Sequence, residues 1–223
     1  MDVLEYIAAD PAGGAAELEA VVRGLETARA AVVFLRSRSE GGLTSLEEEI
    51  AAGLEVREFA TAQINLLSSR EQETDARTGR HHLDPAFHRT RGEAVLRWTS
   101  AHAGLRHLPI GLFADGPAAA AALLGAASAP GRVRGIVCLD GRVDLAEPDL
   151  EAIRTDTLLL VAEGSTHLAD LNRHAAMQLA AARLELVPHG THTYDDPRAI
   201  SRLAWRTVEW FSHVLTRGNE VNE

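Results

Sequence analysis

The side chains able to do chemistry are plentiful in this chain but poorly grouped. There are ten histidines, yet the close sets are only His81-His82 with His88, and His189 with His192. Neither set has the spacing of a metal site or the cysteine and carboxylate ligands that would complete one. Two adjacent histidines also diverge on either regular element, so no metal is expected. The single cysteine, Cys138, ends an apolar run and reads as a core thiol. Asp140 and Asp144 follow in LDGRVDL, where Arg142 can pair with either and no catalytic role is required. The chain has no lysine, which excludes Schiff-base chemistry. The most informative stretch is Gly111–Leu124, GLFADGPAAAAALL, where a strand turns sharply into an alanine-rich helix. Ala114 and Ala118 are small enough to let strand and helix cross closely. Between them Asp115, Gly116 and Pro117 form the crest, and Gly116 at its centre carries no side chain.

Short apolar runs alternate with longer amphipathic ones from about residue 30 onward, the pattern of a mainly parallel sheet. Strands are predicted at Ala31–Leu35, Ala60–Leu67, Pro109–Phe113, Arg134–Leu139, Thr157–Ala162 and Leu184–Val187. Runs such as AVVFL, IVCL and TLLLVA are apolar throughout, as strands covered on both faces should be. Helices are predicted at Leu43–Leu54, Phe87–Ala103, Ala118–Ala127, Ala169–Ala182 and Pro197–Thr216. The last shows Ile200, Leu203, Ala204, Val208, Phe211 and Leu215 at helical spacing, a face made for docking on the sheet. Residues 1–25 are expected to add edge strands around the Asp10–Gly14 turn. Ser68–Asp84 is polar and long for a connection, and reads as a solvated loop.

With 223 residues and 24.0 kDa, the chain suits one α/β domain with a substantial core and no interdomain linker. Its net charge of -10 argues against nucleic acid or an anionic membrane as the main partner. Lone Cys138, an amino terminus without a signal pattern and the lack of a membrane-length apolar run make the cytoplasm the expected compartment.

Several segments resemble dienelactone-hydrolase-like α/β-hydrolases, in order and without large gaps over roughly residues 30–215. They are the Gly111–Leu124 turn, ATAQINLLSSREQETDARTG at Ala60–Gly79, GIVCLDGRVDLAEPDL at Gly135–Leu150, TLLLVAEGSTHLADLN at Thr157–Asn172 and LVPHGTHTYDDP at Leu186–Pro197. The resemblance implies a three-layer α/β-hydrolase fold, a mainly parallel sheet with helices on both faces. It places the site at the carboxyl ends of the strands.

In such proteins the turn is a nucleophile elbow, G-x-S-x-G, with the nucleophile at its crest. The resemblance carries the catalytic positions over only in part. The nucleophile falls on Gly116 and the acid on Ser165, while the histidine is retained as His192. The loop that normally supplies small residues to the oxyanion hole reads Arg36-Ser37-Arg38-Ser39. His192 is then either a base in the cleft or an imidazole satisfied by neighbouring hydroxyls. Asp115 adjoins the crest, but centring the elbow on it puts Phe113 and Pro117 where small residues belong. Glu163 could orient His192 from a shifted position or be a solvated loop glutamate. Ser165 cannot stabilise an imidazolium as a carboxylate does. Arg36 and Arg38 either bind an anion or are solvated beside the acidic stretch Glu47–Glu49. Backbone amides at the helix start by Pro117 offer a second place for an anion.

The expected function is a cleft that has lost Ser-His-Asp hydrolysis and binds a small-molecule ligand or substrate, or runs base-assisted lyase or cyclase chemistry without a cofactor. Two alternatives stay open. One is an active ester or lactone hydrolase with a displaced nucleophile. The other is a silent subunit, as a homodimer or beside an active paralogue.

Overall fold

The computed structural model describes residues 2–9, 16–37, 44–147, 149–188 and 196–217. Apolar β-branched and leucine-rich runs form an eight-stranded sheet: β1 (Val3–Ala8), β2 (Glu17–Arg23), β3 (Ala30–Arg36), β4 (Phe59–Asn65), β5 (Ile110–Asp115), β6 (Val133–Leu139), β7 (Asp156–Ala162) and β8 (Ala182–Val187). Their order is β1-β2-β4-β3-β5-β6-β7-β8. β1 and β2 pair antiparallel, as do β2 and β4, and every later pairing is parallel. The residues at the two expected edge strands are therefore strands, while the Asp10–Gly14 turn lies outside the described residues.

Helices cover both faces. α1 (Ser45–Glu55) and α6 (Pro197–Thr216) pack on one side through Ile50, Leu54, Leu203, Val208 and Phe211. On the other side lie α3 (Pro85–Ala101), α4 (Ala118–Ser128) and α5 (Thr166–Gln178). The six central and carboxyl-terminal strands fall on their predicted segments to within a few residues. β3, β5, β6 and β7 are buried almost throughout and announce themselves as apolar runs, whereas β8, at the sheet edge, buries only Val187. Phe34 and Phe113 stack across β3 and β5 with ring centroids 5.3 Å apart, which fixes the register of the two strands beneath the crest. α4 is buried along almost its whole length, and it can be so because alanine leaves no bulk to keep its neighbours away.

Ser68–Asp84 is not the loop that its polarity suggested. Ser69–Thr78 forms a helix, α2, with no buried residue, so no apolar periodicity marked it. A capping box starts it: the Ser68 hydroxyl accepts from the Glu71 amide, and the Glu71 carboxylate accepts from the Ser68 amide and hydroxyl. Gly79, at φ 58°, ends it. The same Glu71 carboxylate binds Arg91 of α3, which docks α2 on the body of the protein.

Candidate functional site

At the end of β5 the chain makes the expected sharp turn. Ala114 and Ala118 are both fully buried, as small residues at a close crossing must be. Gly116 takes a left-handed conformation, φ 51°, and a Cβ placed on it meets nothing within 4 Å among the described residues. Its amide donates to Leu139 O at 3.0 Å, and its carbonyl accepts from the Arg142 amide at 3.0 Å. The backbone of an elbow is thus held firmly in place, with open space where a nucleophile would project.

Pro117 begins the helix after the crest without a backbone N–H of its own. In this fold the residue after the nucleophile supplies one oxyanion-hole N–H, and proline has none. The next two amides in which a bond is seen turn inward, Ala119 to Gly116 O and Ala120 to Pro117 O. Two consecutive residues of the turn thus bring no side chain and no amide proton, respectively.

Asp115, half-buried, is the last residue of β5 and pairs in register with Leu139. It follows Phe113 on the face toward α1 and α6 by strand alternation, off the crest itself, and its side chain has a partner of its own. Arg36 is the last residue of β3. It is buried rather than solvated, with Nε 3.3 Å from Glu47 Oε1 of α1. Glu47 also caps that helix, its Oε2 accepting from the Thr44 amide at 2.8 Å and hydroxyl at 3.0 Å. Arg38, His189 and His192 lie outside the described residues.

The ends of β6 and β7 are tied through a residue to which the sequence reading gave only a structural part. Asp140 is left-handed, φ 45°, a conformation that costs an ordinary residue about 1 kcal/mol or more. Two bonds hold it there: its amide donates to Leu160 O, and its Oδ1 accepts from the Ala162 amide, both at 2.8 Å. Arg142 chooses the other carboxylate, gripping Asp144 through two bonds of 2.9 and 2.8 Å. That guanidinium holds the Asp144 carboxyl below its usual range and is itself pushed up by the pairing. Past β7, Glu163 is exposed, and its amide donates to Val187 O of β8. Ser165 is buried at the start of α5 with its side chain engaged.

Three further groups bear on the chemistry. Cys138 lies beneath the crest, fully buried, and burial pushes its thiol up to about 12, so it is no thiolate nucleophile. Gln63 of β4 is buried, and its Nε2 makes no hydrogen bond among the described residues; nor does Arg36 Nε, whose contact with Glu47 is an ion pair only. Among the described residues no group of three histidines, cysteines or carboxylates could hold a metal ion. His81 stacks instead on Phe87 at 4.6 Å, and His88 Nε2 lies 3.1 Å from His82 O. A half-open cavity of about 480 Å³ lies aside from the crest, at the end of β4 and the start of α2, lined by Tyr6, Glu17, Asn65, Leu67 and Gln72. No described helix is long and apolar enough to cross a membrane.

Several solved structures share this architecture. Dienelactone hydrolase from Anabaena variabilis superposes with a TM-score of 0.87 and 27% identity, over 96% of this chain and 98% of that one. Est1E from Butyrivibrio proteoclasticus gives 0.75 at 11% identity, over 96% and 99%. The dienelactone hydrolase-like promiscuous phosphotriesterase P91, from metagenomic libraries, gives 0.72 at 16% identity, over 96% and 98%. The chain has the α/β-hydrolase fold in the form these hydrolases and esterases share. No protein-family model matches it. A Mycobacterium tuberculosis protein, provisionally named a phosphoribosyl transferase and found in two strains, is 29% identical over 187 residues. That match covers 83% of this chain, which spans only 41% of the relative's length.

Proposed function

We propose that this chain does not hydrolyse esters through a Ser-His-Asp triad, and that its cleft binds a small molecule, either to hold it or to support a base-assisted step. The observation that carries the reading is the crest after β5, where Gly116 leaves open space and Pro117 withdraws an amide. Acyl transfer needs an atom to attack the carbonyl and donors for the oxyanion that forms. Losing one donor alone costs about a hundred- to a thousandfold in rate, and losing the nucleophile costs more. Proton abstraction, elimination or cyclisation needs neither. It needs a base near its ordinary pKa and a shaped cleft, and His192 is the proposed base, with Glu163 the shifted carboxylate that could orient it.

The test is turnover of p-nitrophenyl acetate by the purified chain and by His192→Ala. Equal rates, at the level of the uncatalysed reaction, are expected. Robust hydrolysis that disappears in His192→Ala would sink the proposal. A second reading keeps hydrolysis with Asp115 as nucleophile, favoured by its place one residue before the crest. Covalent trapping by a haloalkane, located at Asp115 by mass spectrometry, would decide for it.

The transferase name of the M. tuberculosis relative is not carried over. This chain matches less than half of that protein, and its own structural neighbours are hydrolases and esterases.

A further inference from the structure

The site contains two buried donors that the fold leaves without acceptors. Arg36 Nε and Gln63 Nε2 are sealed from solvent and hydrogen-bonded to nothing among the described residues. Arg36 is 8% exposed and Gln63 9%. An unpaired buried donor is destabilising, and native proteins seldom keep one unless a water, ion or ligand accepts from it. Here the two occur together. β3 and β4 pair with Phe34 beside Gln63 and Arg36 beside Asn65. Phe34 faces the α1 and α6 layer, so Arg36 and Gln63 face it too, one pleat apart on neighbouring strands.

Glu47 does not remove the deficit. Its Oε1 lies 3.3 Å from Arg36 Nε but out of line for a hydrogen bond, and its Oε2 is occupied by Thr44. It does balance the charge. What is missing is an acceptor, not an anion as such. The location ties this deficit to the crest: Leu35 pairs with Ala114, which sets Arg36 next to Asp115, one residue before the open position at Gly116.

We propose that Arg36 and Gln63 grip an sp2 oxygen, of a carboxylate or a carbonyl, on the small molecule that occupies the cleft. The inference rests on the reading of the cleft as a small-molecule site and names the class of molecule it takes. A cationic ligand would give these two donors no acceptor and would meet the Arg36 guanidinium. Asp115 on the adjacent strand sets the other limit, since it opposes a second negative charge, so the ligand is neutral or singly anionic.

The full chain is titrated with benzoate, benzamide and benzamidinium while its amide and side-chain N–H resonances are followed. Benzoate or benzamide should saturate, shifting the Gln63 side-chain amide, Arg36 Nε–H and the backbone of residues 114–118. Gln63→Leu should weaken that binding about tenfold, as expected for one lost hydrogen bond in a dry site. Removing Arg36 alone would strand a buried carboxylate, so the companion variant is Arg36→Gln with Glu47→Gln, which keeps a side-chain acceptor for the helix cap. Unchanged affinity in both folded variants overturns the inference but leaves the cleft reading standing. So does preference for benzamidinium, or a Gln63→Leu protein that is more stable yet binds as before, because the donors then merely hold a buried water. If none of the three probes moves the crest resonances, the cleft reading falls and this inference falls with it.

Discussion

Two glycines in this protein lack a side chain for opposite reasons. In α3, a Cβ on Gly92 would lie 2.1 Å from Ala121 O of α4 and 3.0 Å from the Gly125 amide nitrogen. Only hydrogen fits, because the two helices cross with their backbones nearly in contact. At the crest after β5, a Cβ on Gly116 meets nothing within 4 Å among the described residues. Space does not require glycine there; only the left-handed φ favours it. The α3–α4 crossing is thus constrained by packing, whereas at the crest the backbone conformation alone sets the residue. Scaffold and side-chain chemistry can vary separately, because the two depend on different atoms.

The strongest way to break this comparison is Gly92→Ala. Forcing a methyl group into the α3–α4 crossing should cost about 3 kcal/mol or more, read as a lowered urea midpoint with the slope unchanged. A midpoint equal to wild type would mean that the helices sit further apart than described.

At the crest the counterpart is Gly116→Ser. It should fold normally and lose about 1 kcal/mol, the strain of a left-handed serine. By itself it should not become an esterase, because Pro117 still withholds the elbow amide. Adding Pro117→Ala restores that N–H, and in the double variant the introduced serine oxygen should be phosphonylated by a fluorophosphonate, with release of fluoride, about a hundredfold faster than in the single. Equal rates would show that the missing amide is not what silences the elbow.

The smallest effect at neutral pH concerns His88, one turn before Gly92 on α3. It is buried with Nδ1 unpartnered, and burial holds its pKa below the ordinary 6.5. The unfolded chain therefore takes up this proton first. The contribution is fully present above pH 6.5 and is lost as pH falls below it toward the folded pKa. His88→Leu should flatten that part of the stability curve, and an unaltered curve would place the acid sensitivity elsewhere.

How much of this could be read beforehand differs by element. The strands β3, β5, β6 and β7 were legible because burial on both faces demands apolar runs, and β8 was legible despite its exposed edge. α2 was not, since none of its residues is buried, although Ser68 and Glu71 at capping-box spacing were there to be seen. Pro117 was also legible, because its missing N–H follows from its identity alone. Arg36 could not be placed in advance. A terminal strand arginine is solvated or buried according to whether a helix crosses above it, and here α1 does. Gln63 and Asp140 are of the same kind. Nothing in an isolated glutamine predicts an unmet donor, and nothing in LDGR predicts a left-handed aspartate.

Residue identity by itself settled what the crest lacks, because a glycine has no nucleophilic atom and a proline no amide proton in any fold. It settled the layered α/β architecture as well, through the periodicity of its apolar runs. Tertiary structure decided the rest: that no described residue fills the space above Gly116, that Arg36 faces Glu47 under α1, and that two donors on neighbouring strands are buried without hydrogen-bond acceptors among the described residues. Those facts depend on which elements pack against each other, and distances across a sheet are not written in the order of residues along it.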